Sequence, residues 1–256
     1  AGLLSLVALI VLALVLGRTS SVSGLPGNAL RSPAPSAITD RITSIPAEEF
    51  AAVGDGGVDQ PLRPITGQQP LKGAGGRPLV LFVGADYCPF CAAERWSLVA
   101  ALSRFGQVSG LQLTSSATND TDPNTDTLEL SHLTFSSDVL DVQAVELADR
   151  DGNPYQTPNA DQGAVYAALG GGTIPFLDIG NVYLGATAGY DASILHGLTW
   201  DQIAGKLLDA NDPVTKAIVG NANRITAAIC RITQGRPAAV CQAAPIPRLM
   251  GQLPAS

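Results

Sequence analysis

The chain has 256 residues and a net charge of −7, with a pI of about 4.7. Its length allows one domain of moderate size with extensions, or two small domains. An acidic chain repels phosphate backbones, and the fifteen basic residues form no cluster, so composition argues against a nucleic-acid partner.

The first seventeen residues, AGLLSLVALIVLALVLG, carry no charge. A helix of this length spans about 25 Å, slightly less than a bilayer core of about 30 Å. We predict a transmembrane signal anchor at 1–17, with the rest of this single-pass cell-membrane protein on the extracytoplasmic side. Two alternatives stay open: a signal peptide cleaved near Ser21 or Ser23, and a buried core helix.

The next two segments lack strong periodicity. Residues 18–38 are rich in Ser, Gly, Pro and Ala, which is typical of a flexible linker. Residues 39–50 regain apolar content and predict a short strand or helix, whereas 51–76 are rich in Gly and Pro and predict a loop. We interpret 39–76 as an N-terminal extension of the domain.

A strand followed by a helix is predicted next. Leu79–Gly84, LVLFVG, is an unbroken apolar run, typical of a strand buried on both faces. Cys88–Gly106 predicts a helix, because Cys88 suits the N-cap, Pro89 the first turn and Gly106 the end. Its wide apolar surface indicates that it packs on a sheet.

The rest of the chain alternates strand and helix patterns. Residues 116–131 are polar and turn-rich, and Gly170–Gly185 predicts a hairpin around Gly180-Asn181. The other predicted elements are strands at 111–115, 132–137 and 142–148, and helices at 161–169, Thr199–Leu208 and Val214–Arg231.

Two of the four cysteines lie in the sequence YCPFC, at the predicted strand-to-helix junction. A helix N-terminus stabilises a thiolate, because its first N–H groups lack partners and its dipole is positive there. The thiolate is the form that attacks a disulfide. We therefore predict that Cys88 is the more exposed and more acidic thiol and attacks, and that the more buried Cys91 resolves the mixed disulfide.

The chain resembles the thioredoxin superfamily in YCPFC and in TIPF, Thr173–Phe176, over about residues 77–210. The resemblance implies an α/β fold with a central mixed sheet flanked by helices and an insertion around 116–150. Beyond the stretch that it covers, we predict a C-terminal helix and disulfide-closed tail at 211–256. The stretch from about residue 39 to Cys241 resembles an uncharacterised family of membrane-anchored thioredoxin-like proteins, which brings no established activity.

The resemblance also implies roles for residues around the cysteines. The Ile174–Pro175 bond would be cis and lie beside them, so that the backbone of Ile174 pairs with an extended substrate. Phe90 would add apolar surface for that substrate. Tyr87 either lines the same groove or packs on the helix.

Glu94 follows Cys91 by three residues and is a candidate proton relay to the resolving thiol. Alternatively, it is a solvated helix residue or forms an ion pair with Arg95 or Arg104.

Two other interpretations of CPFC stay open. One is an inert bridge, although so short a loop gains little from closure. The other is zinc bound together with Cys230 and Cys241, whose spacing is not that of a zinc knuckle. The lone His132 and His196 are interpreted as structural. We predict no metal and no dissociable cofactor, since electrons pass between dithiols.

Cys230 and Cys241 flank a segment with Gly235 and Pro237, which would turn the chain back on itself. A closed loop of this size contributes about 3 kcal/mol in the chain-entropy model, so we predict a structural disulfide. The alternative is a second redox pair that exchanges with CPFC.

These features together predict an extracytoplasmic, membrane-anchored thiol–disulfide oxidoreductase. Its partners would be exported proteins that contain cysteines, a separate redox protein that resets the CPFC pair, and the membrane through the N-terminal helix. The alternative is an inert interaction module at the cell surface, in which CPFC is a structural disulfide.

Overall fold

The structure is a computed structural model and describes residues 31–58 and 62–255. In these residues the strands are β1 (Leu62–Pro64), β2 (Leu79–Gly84), β3 (Gln107–Ser109), β4 (Gln112–Ser115), β5 (Asp126–Glu129), β6 (Thr134–Ser136), β7 (Asp141–Glu146), β8 (Phe176–Ile179) and β9 (Tyr183–Gly185). The α-helices are α1 (Ser36–Thr43), α2 (Ala47–Val53), α3 (Pro89–Leu102), α4 (Ala160–Val165), α5 (Trp200–Lys206), α6 (Pro213–Ile232), α7 (Ala238–Cys241) and α8 (Ile246–Gln252).

A mixed five-stranded sheet, ordered β1-β9-β8-β2-β7, forms the centre of this α/β fold. The predicted strand β2 is buried along its whole length, as its apolar run requires. It pairs in parallel with β7 and antiparallel with β8. The hairpin β8–β9 is confirmed around Asn181, whose positive φ suits the turn.

The predicted helix after β2 is confirmed as α3, with Cys88 as its N-cap and Pro89 in its first turn. Helix α6 packs against it, and from Cys91 to Leu102 every residue of α3 is buried. The helix ends at Leu102, before the predicted stop at Gly106. That glycine instead allows a close approach to the backbone at Ser136.

Two segment predictions are wrong at the level of single strands, and a third segment contains a strand that was not predicted. The polar segment 116–131 contains β5, which pairs with β4, and the loop 51–76 contains β1, which pairs with β9. The insertion predicted at 116–150 includes β7, a strand of the central sheet. Strand β5 has no apolar pattern in the sequence, yet most of it is buried. Thr127, for example, donates a hydrogen bond to the carbonyl of Ala92.

The linker prediction is also wrong where the structure describes it. Residues 31–34 run alongside β4, with the Arg31 amide donating to Leu113 O at 2.6 Å and the Ala34 amide to Leu111 O at 2.9 Å. Helix α1 follows at once and buries Ile38 and Ile42. The folded part of the chain therefore includes residues from 31 onward.

The C-terminal part is helical, as predicted. Helix α6 begins after its N-cap Asp212 and packs against α8. A disulfide joins Cys230 to Cys241, with 5.5 Å between their Cα atoms, and both residues are buried. It ties the end of α6 to α7.

No helix among the described residues is long and apolar enough to cross a bilayer. The predicted anchor at 1–17 lies outside those residues and stays a prediction.

Candidate active site at the CPFC turn

The two thiols lie at the junction between β2 and α3. Cys88 is the N-cap, and the amide of Cys91 donates a hydrogen bond to the Cys88 Sγ at 3.2 Å. Both cysteines are free thiols. Both are buried, but Cys88 keeps 5% of its surface exposed and Cys91 none, so Cys88 is the more exposed thiol.

The two thiols differ in acidity. The hydrogen bond from the Cys91 thiol lowers the pKa of Cys88, and the Cys91 and Phe90 amides and the Arg95 charge act in the same direction, against burial. Burial raises the pKa of Cys91 well above its usual value. This asymmetry is what an attacking Cys88 and a resolving Cys91 require.

Pro175 lies at the same edge of the sheet as the thiols. Phe176 pairs with Val83 in the antiparallel β2–β8 ladder, so Pro175 is level with the carboxyl end of β2, from which the chain enters the CPFC turn. The Ile174–Pro175 bond is cis. Pro175 is buried and Ile174 is half-buried.

Aromatic side chains surround this edge. Phe90 is 40% exposed, and Tyr87 is half-buried and packs against the core cluster that includes Cys88. Burial raises the pKa of Tyr87, and negative charge on Cys88 or Cys91 raises it further. Tyr87 therefore packs on the core while its hydroxyl lies within the electrostatic reach of both thiols.

Tyr166 is a further aromatic residue at this edge, which sequence reasoning missed. It begins a π-helical turn, Tyr166–Gly170, that continues α4, and its ring packs edge-to-face on Phe176 at 5.3 Å between centroids. Burial raises its pKa, and negative charge on Cys91 and Tyr87 adds to the rise. The signal available in the sequence was an aromatic residue shortly before the Gly-rich approach to TIPF.

Glu94 does not have the surroundings predicted for it. It is buried, and its Oε2 accepts hydrogen bonds from the Asn221 side chain at 2.9 Å and the Gly189 amide at 3.4 Å. The predictions of a solvated residue or an ion pair with Arg95 or Arg104 are wrong, because α6 covers this face of the helix. Burial raises the pKa of Glu94 to about 8. Its partners lie toward α6, so a relay to Cys91 stays a prediction.

Arg95, not Glu94, is the charged residue whose field lowers the pKa of both thiols, and sequence reasoning missed this role. It is fully buried and pairs with Glu146 at the end of β7 through two hydrogen bonds, at 2.9 and 2.6 Å. Burial lowers the pKa of Arg95, but the Glu146 charge and hydrogen bonds outweigh it, so the net shift is upward. Its position one helical turn after Cys91 was the available signal.

Asp86 completes a buried charge cluster under the turn. Its Oδ1 lies 3.8 Å from Arg95 Nη2, and this oxygen has no hydrogen-bond partner among the described residues. Asp86 is two residues before Cys88, so the chain leads from this cluster into the N-cap.

No group of three or more potential metal ligands occurs among residues 31–58 and 62–255. A four-cysteine zinc site is incompatible with the structure, because Cys230 and Cys241 are bonded to each other. His132 is exposed and lies near Ser131.

The comparison with protein families gives one match. The model of a family described as a domain of unknown function (DUF929) matches residues 69–164, less than half of the chain. The matched stretch contains the CPFC turn, Arg95 and Glu146. The predicted resemblance to a family without established activity is confirmed to this extent.

Neither the curated proteins nor the solved structures give a match to this chain.

Proposed function

We propose that this protein is a thiol–disulfide oxidoreductase with a thioredoxin-like fold. The observation that carries the proposal is the N-cap position of Cys88, one helical turn before a buried Cys91, at the same sheet edge as Pro175. The fold assignment is supported by the order of the elements: strand β2, the cysteine-bearing helix α3, the parallel strand β7 and the β8–β9 hairpin.

The exchange proceeds through two balanced steps. The Cys88 thiolate attacks one sulfur of a substrate disulfide, forming a mixed disulfide and releasing the other substrate sulfur as a thiolate, which takes up a proton. Cys91 then loses its proton and attacks Cys88 Sγ, which releases the second substrate thiol. The substrate gains two electrons and two protons, and the CPFC pair becomes a disulfide; the reverse sequence oxidises a substrate dithiol.

The rim of the site suits an extended polypeptide. The exposed Phe90 offers apolar surface, and the half-buried Ile174 is the residue whose backbone would pair with the substrate strand. Tyr87 and Tyr166 lie within electrostatic reach of the thiols.

The proposed location is the extracytoplasmic side of the cell membrane, with residues 1–17 as the anchor. The support is the uncharged apolar sequence of that segment. The substrates would then be exported proteins with cysteine pairs, and a second dithiol or disulfide protein would reset CPFC after each turnover.

The test is exchange activity of the full chain in detergent, in both directions, with a disulfide protein such as insulin and with a reduced, unfolded dithiol protein. We expect Cys88→Ser to abolish turnover, because it removes the attacking sulfur. We expect Cys91→Ser to accumulate a mixed disulfide that is visible by mass, because the resolving sulfur is absent.

The matched control is the double variant Cys230→Ser/Cys241→Ser, which removes two sulfurs remote from the turn. It should keep the activity of the unmodified chain. Equal loss in this control and in Cys88→Ser would contradict the assignment of the site. A folded wild-type chain without exchange in either direction would favour the inert interaction module, which the low exposure of Cys88 would then explain.

A further inference from the structure

The first described residue of the chain, Arg31, reaches the charge cluster under the thiols. Its Nε and Nη2 atoms donate hydrogen bonds to Asp86 Oδ2 at 3.2 and 3.1 Å. Asp86 is buried, whereas the Arg31 side chain keeps 29% of its surface exposed. Arg31 is therefore the member of the cluster that is exposed to solvent.

The Arg31 guanidinium lies in a socket that is formed by the Asp86 carboxylate and the Tyr155 ring. It lies over the Tyr155 ring at 3.7 Å from the centroid, and the Tyr155 hydroxyl is itself hydrogen-bonded to Ser131 Oγ at 2.9 Å. A planar guanidinium matches both a carboxylate edge and an aromatic face, which an ammonium group does not. The socket thus selects arginine at this position.

The backbone around Arg31 is fixed as well. Leu113 accepts the Arg31 amide and donates its own amide to Ser32 O at 2.9 Å. Residues 31–34 therefore extend the edge of β4 as a short strap. The Arg31 side chain reaches Asp86 only while this strap is in place.

Four charges alternate in sign along the cluster: Arg31, Asp86, Arg95 and Glu146. The contacts that join them are 3.1 Å, 3.8 Å and 2.6 Å in turn. Glu129 also faces Glu146 from β5. Removing Arg31 would leave two buried carboxylates, Asp86 and Glu146, sharing the single Arg95 guanidinium, close to two cysteines that need a positive potential to hold a thiolate.

We propose that Arg31 is a positioning residue for the CPFC pair: by neutralising Asp86 it offsets the negative potential that the buried carboxylates place on the thiols, and so it sets the redox poise of the site. This inference rests on the proposed function, and it names a residue that tunes it. Loss of the Arg31 charge makes the pair more reducing, because the dithiol form loses thiolate stabilisation.

The test is the equilibrium constant for reduction of the CPFC disulfide by glutathione, measured on the full chain in detergent by alkylation and mass. We expect Arg31→Ala to lower this constant about threefold to tenfold, equivalent to a thiol pKa rise of up to about one unit. Arg31→Lys keeps the charge without the planar fork and should give an intermediate value.

Asp86→Asn provides the opposite perturbation. It removes the negative charge that Arg31 neutralises, so the constant should rise instead of fall. A loss of packing alone would move both variants in one direction, and that result would overturn the proposal.

Arg77→Ala is the matched control. Arg77 also makes a doubly hydrogen-bonded pair with an aspartate, Asp141, but at the opposite end of β2 from the thiols. Its constant should equal that of the unmodified chain. Unchanged constants in Arg31→Ala, or an equal shift in Arg77→Ala, would overturn the inference while leaving the proposed function intact. A wild-type CPFC pair that forms no disulfide at any glutathione ratio would overturn both.

Discussion

At the scale of single residues, the site depends on how each sulfur is surrounded. Cys88 receives hydrogen bonds at a helix N-terminus, while Cys91 lies one turn deeper with no solvent contact. The same local geometry therefore stabilises the charge on one sulfur and opposes it on the other.

Cys88 should react with iodoacetamide with a pH midpoint below the ordinary value of about 8.5 for a free thiol. The reason is that its hydrogen bonds favour the thiolate over the thiol. The measurement is the pH dependence of the alkylation rate of the reduced chain. In the Cys88→Ser control, the remaining Cys91 should alkylate slowly and only at higher pH; a midpoint for Cys88 at or above that of a free thiol would contradict the proposed chemistry.

Glu94 should make the protein less stable as pH rises. Its pKa is raised from 4.5 in the unfolded chain to about 8 in the fold, so between these values the native state binds more protons than the unfolded state. Stability contributed by the protonated form is present below the unfolded pKa and is lost as pH rises through the folded pKa.

The neutral variant Glu94→Gln tests this sign. Between pH 5 and 8 the wild type should lose about 2 to 4 kcal/mol of unfolding free energy that the variant keeps. This range follows from about 1.4 kcal/mol for each unit of pKa shift. Urea denaturation at several pH values measures it. A difference independent of pH would show that Glu94 is ionised throughout this range.

At the scale of elements, the π-helical turn after α4 positions the Tyr166 ring against Phe176. Gly170 closes that turn, and a Cβ there would lie 2.7 Å from Phe176 Cδ2 and 2.9 Å from Tyr166 Cδ2. The glycine thus permits the contact between the two rings, and that contact places Tyr166 at the sheet edge.

Gly170→Ala should destabilise the fold by about 1 to 3 kcal/mol, because the added methyl group overpacks the rings. Gly163→Ala is the matched control in the preceding helix, where the nearest atom to an added Cβ is 4.0 Å away. That control should be neutral or stabilising by up to about 1 kcal/mol. Urea unfolding compares the two, and equal stability of both variants would contradict this account of the turn.

The elements also show how far sequence reasoning reached. The apolar run of β2 and the N-cap preference of Cys88 specify local structure, so α3, the hairpin and α6 were predictable. Strand β5 and the strap at 31–34 were not, because their polar and linker-like residues acquire partners only through contacts distant in sequence. Glu94 and Arg95 are adjacent, and the sequence does not reveal that one faces α6 and the other pairs with Glu146.

At the scale of the whole molecule, the cysteine-bearing helix α3 is enclosed between two layers. One layer is the central sheet and the other is α6. The C-terminal disulfide ties α6 to α7, and α8 packs back on α6. The tail thereby supports the helix that in turn supports α3.

Replacing both Cys230 and Cys241 with Ser should lower the free energy of unfolding by about 3 kcal/mol, the value expected for opening a loop of this length. The reactivity of Cys88 should not change, because its hydrogen bonds lie within α3. Chemical denaturation and alkylation rates measure the two effects separately. A change in Cys88 reactivity in the folded variant would contradict a purely structural role for Cys230 and Cys241.

Helix α3 has no exposed face from Cys91 onward, and this limits where the protein can diverge. Substitutions along the body of the helix alter the packed interior. They are therefore limited by their effect on folding stability, whatever effect they have on the thiols. Phe90 stands outside that constraint, since its side chain projects into solvent beside the reactive sulfur. Under the proposed function, preference for one substrate protein over another can therefore evolve at this position while the scaffold stays unchanged.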